Sequence, residues 1–381
     1  LTVVSRKQRP LLNTDDAETG GTVEAFELKA LPTDAREPLA LAFNVPGVSQ
    51  STGFFGDAPP LTIHGENSLY TRYTVDGLSN DEGFLGGPRV SLPLAALERL
   101  DVHTATYRPA LGRSTNGVVE METRAGGSEW EGELLFVNRP GIPFDADPKF
   151  TPAGVDPDGF TRTQVGGSLG GPILTGTTFG FGALEYTNEQ EDRIGSTART
   201  SFLGTEERET WKAFARIDHG WSDDQSSTLR FALSDVRRKG QGGGVVVPEA
   251  DITTRRIGSL ASRTHRNSFR EDRARNEFSV QVATYGWDFP PTASDLETPQ
   301  VTIVSPDLTT VEAVVGSSNF IFDESELQLQ VKEELELRVG ARHTLRFGAD
   351  VVRSTFELLG ANTNPRGAYT VVNEGNISPS G

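Results

Sequence analysis

Glu326–Arg338 reads ELQLQVKEELELR. In an extended chain Leu327, Leu329, Val331, Leu335 and Leu337 fall on one side, with Gln328, Gln330, Lys332, Glu334, Glu336 and Arg338 on the other, and only Glu333 breaks the apolar row. A period of two over this length is a long β-strand with one apolar face. NEFSVQVATYGW repeats it through Phe278, Val280 and Val282, STLRFALSD through Leu229, Phe231 and Leu233, and HTLRFGADVV through Leu345, Phe347, Ala349 and Val351. Each reaches the roughly 9–11 residues that a tilted strand needs to cross a bilayer. A large soluble β-sandwich also alternates, and it is strand length that favours a membrane barrel.

The connections between these segments agree. WSDDQS is short, whereas the stretches around Gly240 to His265 and Pro290 to Ser325 are long, polar and rich in Gly, Pro and Thr. Short turns at one end and long loops at the other are the habit of outer-membrane barrels. The chain has 41 Gly, 22 Pro and 21 Phe but 1 Met, a balance poor in helix formers. It has 36 Lys plus Arg against 53 Asp plus Glu, a net charge of −17, which argues against nucleic acid as a partner. With 0 Cys, disulfides, thiolate metal sites and a cysteine nucleophile are excluded. No run of apolar residues approaches the roughly 18 of a spanning helix, and LTVVSRKQRP at the start carries no signal-peptide pattern.

Before Gly127 the pattern is mixed. DAREPLALAFNVPGV predicts a short helix through Leu39, Leu41, Ala42, Phe43 and Val45, stopped by Pro46-Gly47. PLTIHG and YTRYTVDGL read as strands, the second ending in an Asp76-Gly77 turn. LPLAALERLDVHT predicts a helical turn opened by Pro93 and a strand at Leu100 to Thr104, and GVVEMETRAGG a further strand. These form a compact α/β unit. Gly166-Gly167-Ser168-Leu169-Gly170 matches the G-x-S-x-G of serine hydrolases, but a nucleophile elbow needs a helix next, and an aromatic β segment follows. The glycines are read as a tight turn between adjacent strands.

GGSLGGPI and FGFGALEY together are similar to the start of the barrel in Oar-like TonB-dependent outer-membrane receptors. LPTDAREPLALAFNVPGV, TIHGENSLYTRYTVDGLSN and LERLDVHTATYRPALGRSTNGVVEMETRAGGSEWEGEL resemble successive pieces of that family's plug and its junction with the barrel. The plug-motif positions are His64, Gly65, Asp76, Gly77, Glu98, Arg99, Gly112, Arg113 and Gly117. The family commonly has Arg-Gly where His64-Gly65 stands, and many members have Arg-Gly-Pro where this chain has His103-Thr104-Ala105, so contacts of those arginines do not carry over. The resemblance implies a mainly β fold: a small α/β plug followed by the first part of a 22-stranded transmembrane antiparallel β-barrel. The expected boundaries are 1–20 for a TonB-box-like segment and linker, 21–128 for the plug and 129–381 for the N-terminal part of the barrel. Such a partial sheet has two long open edges.

The resemblance also implies that the plug fills the barrel lumen, that ligand binding is signalled through it, and that the location is the outer membrane of a Gram-negative-type envelope. Thr2, Val3, Val4 and Ser5 in LTVVS resemble a TonB box, which adds as a strand to TonB, itself driven by an inner-membrane energising complex. Equally, Thr2 to Val4 reads as the last strand of an upstream carboxypeptidase-regulatory-like domain. The implied function is energised uptake of a scarce or large substrate, with an unknown extracellular ligand and outer-membrane lipid as partners. The alternative is a structural or export-linked barrel whose loops bind a partner protein. No catalytic residue and no cofactor are assigned. Asp145, Asp147, Asp156 and Asp158 share one loop, where carboxylates suit Ca²⁺ but Asp-Pro and Asp-Gly are also ordinary turn chemistry. The scattered His residues suggest no zinc site. Trp130, Trp211, Trp221 and Trp287 are read as interfacial girdle anchors.

Overall fold

The structure is a computed structural model, and it describes residues 18–31, 33–50, 61–144, 158–174, 176–196, 201–241, 245–247, 250–269, 273–290, 298–320, 322–340, 343–360 and 364–375. The chain divides into two units: residues 1–88 with 97–123, and residues 89–96 with 124–381.

The first unit is built on short strands. β1 (Thr19–Glu24) runs into helix α1 (Ala25–Ala30), which opens with the Glu24 N–H donating to Glu27 Oε2 at 2.9 Å. A 3₁₀ helix, Pro38–Asn44, stands where a helix was predicted. Seven residues starting at a proline and stopping ahead of Pro46 leave little room for α-helical hydrogen bonds, and the tighter form results. β2 (Val48–Gln50), β3 (Leu61–Ile63), β4 (Thr71–Val75), β5 (Leu78–Ser79), β6 (Leu97–Ala105) and β7 (Gly117–Thr123) follow. Five of them form one sheet in the order β1-β6-β7-β4-β5, with β4 and β7 parallel, while β2 and β3 pair separately. Leu41, Ile63, Tyr73, Leu100, Val118, Val119 and Met121 are buried at its core.

The second unit is a meander. β8 (Glu131–Pro140), β9 (Thr161–Leu174), β10 (Thr178–Ser196), β11 (Ser201–Ser222), β12 (Gln225–Lys239), β13 (Thr254–Phe269) and β14 (Ala274–Asp288) each pair antiparallel with the next. Two short strands, β15 (Gln300–Val304) and β16 (Val311–Val315), then stand apart from the meander. β17 (Asp323–Val339) returns to β14, β18 (His343–Leu359) closes the nine-stranded sheet, and β19 (Ala368–Val372) follows. β8 and β18 are its two edges among the described residues.

Its faces are inverted relative to a water-soluble sheet. Leu229, Phe231, Val280, Val282, Leu327, Leu329, Val331, Phe347 and Val351 are exposed, whereas Gln164, Glu185, Lys212, Arg230, Gln281, Gln328 and Gln330 are buried. Leu134 is 94% exposed while Gln330 is 1% exposed, so the exposed face is the apolar one. In water such a surface would be an aggregation liability; in a bilayer it is the solvated side.

Two readings need correction. Gly166, Gly167, Gly170 and Gly171 are not a turn: they lie within β9, and the reversal comes at Gly176, whose φ is +79°. They are there for close approach, since a Cβ on Gly171 would stand 2.4 Å from the Trp130 ring and one on Gly170 2.9 Å from Phe181. Ser168 sits mid-strand opposite Glu133 and Ala183, so no nucleophile elbow exists. Trp287 does not suit the anchor role, because unlike Trp130, Trp211 and Trp221 it is not exposed. It is 1% exposed and packs with Phe289 and Phe322 at ring distances of 5.3 and 5.7 Å.

Candidate functional site

The plug-motif residues form turns and clamps. His64 and Gly65 both have positive φ (55° and 75°) and make the reversal after β3, with the His64 N–H donating to Gly47 O at 2.7 Å. Asp76 and Gly77 (φ 48° and 78°) form the β4–β5 hairpin turn. Asp76 also accepts from the Thr123 N–H at 3.0 Å and from Thr123 Oγ1 at 2.6 Å, which ties that turn to the end of β7.

On β6 Glu98 is exposed, and Arg99 donates to Asp101 at 2.6 Å and pairs with Glu122 across the sheet. Burial works against the Arg99 charge, but Asp101 and Glu122 outweigh it and hold its pKa above the ordinary value. For Glu122, burial first of all raises the carboxyl pKa against the opposing pull of Arg99. Gly112 offers its carbonyl to the buried Arg72, and Arg113 adopts φ 67° in the loop leading to Gly117, whose N–H donates to Ser114 Oγ at 3.0 Å. These contacts hold a loop-rich unit in one shape.

Thr2, Val3, Val4 and Ser5 lie outside the described residues, as do Asp145, Asp147 and Asp156. Asp158 is exposed, and its carbonyl accepts from the Ile142 N–H at 3.0 Å. No cluster suited to a metal ion occurs among the described residues.

The expected plug boundary of 21–128 took in residues 89–96 and gave Arg89 no role. Residues 89–96 belong with the nine-stranded sheet and lie on its polar face. The Arg89 guanidinium, 0% exposed, meets Glu326 at 2.9 Å and Gln328 at 3.3 Å, both from β17. The Ser91 N–H donates to Ser234 Oγ of β12 at 3.3 Å. Between them Gly258 of β13 lets the strap lie flat: a Cβ there would stand 2.0 Å from Arg89 O and 3.2 Å from Val90. The only sequence signal was one arginine in an otherwise apolar, proline-marked stretch, facing a row of Gln and Glu some 240 residues on.

At the end of the sheet with long connections, three of them are knitted together. β15 pairs antiparallel with β16 and parallel with β19, and Val314 of β16 exchanges backbone bonds with Val245 and Val247 at 2.7 and 3.0 Å. The fully buried Asn373 donates to Glu312 at 2.6 Å, while its own N–H reaches Val304 O at 2.8 Å. Asn364 donates to the carbonyls of Thr298 at 3.1 Å and Ser318 at 3.3 Å. Below this cap the rings of Trp287, Phe289, Phe320 and Phe322 form one cluster.

A compact mixed unit is followed in the chain by long antiparallel strands whose apolar face is exposed and whose polar face is buried. Residues 17–119 match the family model described as the TonB-dependent Receptor Plug Domain. Over 150 residues it is 30% identical to the TonB-dependent transporter Oar of Myxococcus xanthus, an alignment covering 38% of this chain and 14% of that protein. In fold it resembles the outer membrane transporter YddB from Escherichia coli (TM-score 0.65, 12% identity, 88% of this chain and 48% of that one). It also resembles the siderophore receptor PirA from Acinetobacter baumannii (TM-score 0.61, 16% identity, 89% and 48%). The chain thus spans about half the length of these solved receptors and a smaller share of the curated relative. These relatives are named as transporters and receptors, not as enzymes.

Proposed function

We propose that this chain supplies the plug and the first barrel strands of an energy-coupled receptor that takes up a scarce or large substrate across the outer membrane of a Gram-negative-type envelope. The observation that carries the reading is the plug fold directly preceding a sheet whose apolar face is exposed and whose polar face is buried. The proposed boundaries are the plug at 21–128 and the barrel from 129. The end of the sheet with long connections faces outward from the cell, and Leu1–Ser5 engages TonB by strand addition on the periplasmic side.

The test is binding of the full-length protein in detergent to the periplasmic domain of TonB, with wild type compared with Val4→Pro. Proline removes one backbone donor and breaks strand addition. Loss of binding in the variant supports the reading. Equal binding moves the box elsewhere in the chain. Absence of binding by either protein favours the structural or export-linked barrel.

A further inference from the structure

Five residues form one cross-strand row on the polar face of the sheet, toward the end with long connections. Arg139 of β8 is the register partner of Arg162 of β9, which is opposite Glu189 of β10, then Arg208 of β11 and Arg238 of β12. Four arginines and one glutamate thus stand side by side in a chain whose net charge is −17. Directly opposed like charges destabilise a sheet, so such a row needs an anion to offset it.

The carboxylates nearby satisfy part of it. Arg162 grips Glu189 through Nε at 2.6 Å and Nη2 at 2.5 Å, and Arg238 donates to Glu206, one inward position along β11, at 3.0 Å. Arg139 and Arg162 hold the Phe160 ring between them, at 4.6 and 4.9 Å from its centroid. Arg208 differs from the others. Its contact with Glu189 is long, 3.7 Å, and its Nε is buried without a hydrogen-bond partner among the described residues. Its side chain remains 35% exposed, so the guanidinium is open to a ligand.

We propose that Arg208, with Arg238 beside it and Arg162 two strands away, binds a ligand bearing two or more carboxylates. Resting on the uptake reading above, this names the chemical class of the substrate. Arg208 and Arg238 are one strand spacing apart and Arg208 and Arg162 two, so the ligand's acidic groups lie about 5–10 Å apart. Carboxylate is the fitting group because the same row already holds carboxylates, and the guanidinium fork suits that planar group. Glu189 is the internal competitor that a ligand displaces from Arg208.

The experiment is calorimetric titration of the full-length receptor in detergent with two probes, citrate and a tetraglutamate peptide, at moderate salt. Each variant is first checked as a folded barrel by heat-modifiable migration. At least one probe binds saturably to wild type, tenfold or more weakly to Arg208→Gln, and with intermediate affinity to Arg208→Lys. Glu189→Gln binds threefold or more tightly, a gain that misfolding cannot imitate. Tetraglutamate alone binding assigns an acidic peptide, and citrate alone a small polycarboxylate. Neither probe binding, or Arg208→Gln binding as well as wild type, overturns the proposal. TonB binding by the same preparation separates the two failures: retained, only the ligand class falls; lost as well, the uptake reading falls with it.

Discussion

Arg89→Ala leaves Glu326 buried without its cation, and the consequence is calculable. The pair is 0% and 2% exposed, with the guanidinium also donating to Gln328. Breaking a buried ion pair from one side costs roughly 3–5 kcal/mol, because the remaining charge stays desolvated. If that energy holds the strap 89–96 on the sheet, the opening equilibrium of the strap rises by about 2.2 to 3.7 orders of magnitude, at 1.36 kcal/mol per tenfold. Hydrogen exchange at the Val90 to Ala96 amides in the detergent-solubilised protein reads this directly. The double variant Arg89→Met with Glu326→Leu removes both charges and keeps apolar volume, so it restores most of the protection that Arg89→Ala loses. Exchange that rises less than about fivefold in Arg89→Ala, or a double variant as unprotected as the single one, refutes the claim that this pair anchors the strap.

The same assay tests Gly258→Ala, where a methyl group placed 2.0 Å from Arg89 O forces the strap outward at a cost of about 1–3 kcal/mol, giving faster exchange at Val90 and Ser91. Leu329→Arg on the exposed face costs about 2–4 kcal/mol in refolding into lipid vesicles if that face meets lipid, whereas a water-exposed face gives almost no change. Asp76→Ala loses both bonds to Thr123 and lowers plug stability by about 1–3 kcal/mol, read as a drop in the thermal midpoint of the full-length protein. For Glu122 the folded pKa lies above the unfolded one, so its contribution is fully present below the unfolded value and fades as pH rises through the folded one. Glu122→Gln therefore flattens the loss of plug stability between the acid range and neutrality, and an unchanged pH slope counts against that burial argument.

Strand-rich architecture was legible because period two survives any register: Leu327 to Leu337 announce a face without reference to a neighbour. The direction of that face came from strand length and loop asymmetry, and the exposure of Leu329 beside the buried Gln330 agrees with it. What the sequence concealed were contacts between residues far apart in it. Gly170 and Gly171 looked like punctuation because their use, admitting Phe181 and Trp130, depends on side chains 11 and 41 residues away. Arg89 was invisible for the same reason, its partners being 237 and 239 residues on. Trp287 sits one residue from a strand end, where a girdle ring is common, but the alternation of β14 turns it to the buried face. The plug motifs were easier to find than to interpret: Asp76-Gly77 is recognisable as a turn, but nothing local shows that Asp76 also clasps Thr123.

The parallel pairing of β15 with β19 imposes an order on biogenesis. Gln300 pairs with Ala368, and the intervening chain contains the whole β17–β18 hairpin. The meander pairs strands that neighbour each other along the chain, apart from β14 with β17, whereas β19 reaches β15 only across the whole β17–β18 hairpin. Until then β15 has only β16 as a neighbour, and its other edge is unpaired among the described residues. Closure of this small sheet therefore waits on the β17–β18 hairpin, which makes the parallel β15–β19 contact one of high sequence separation.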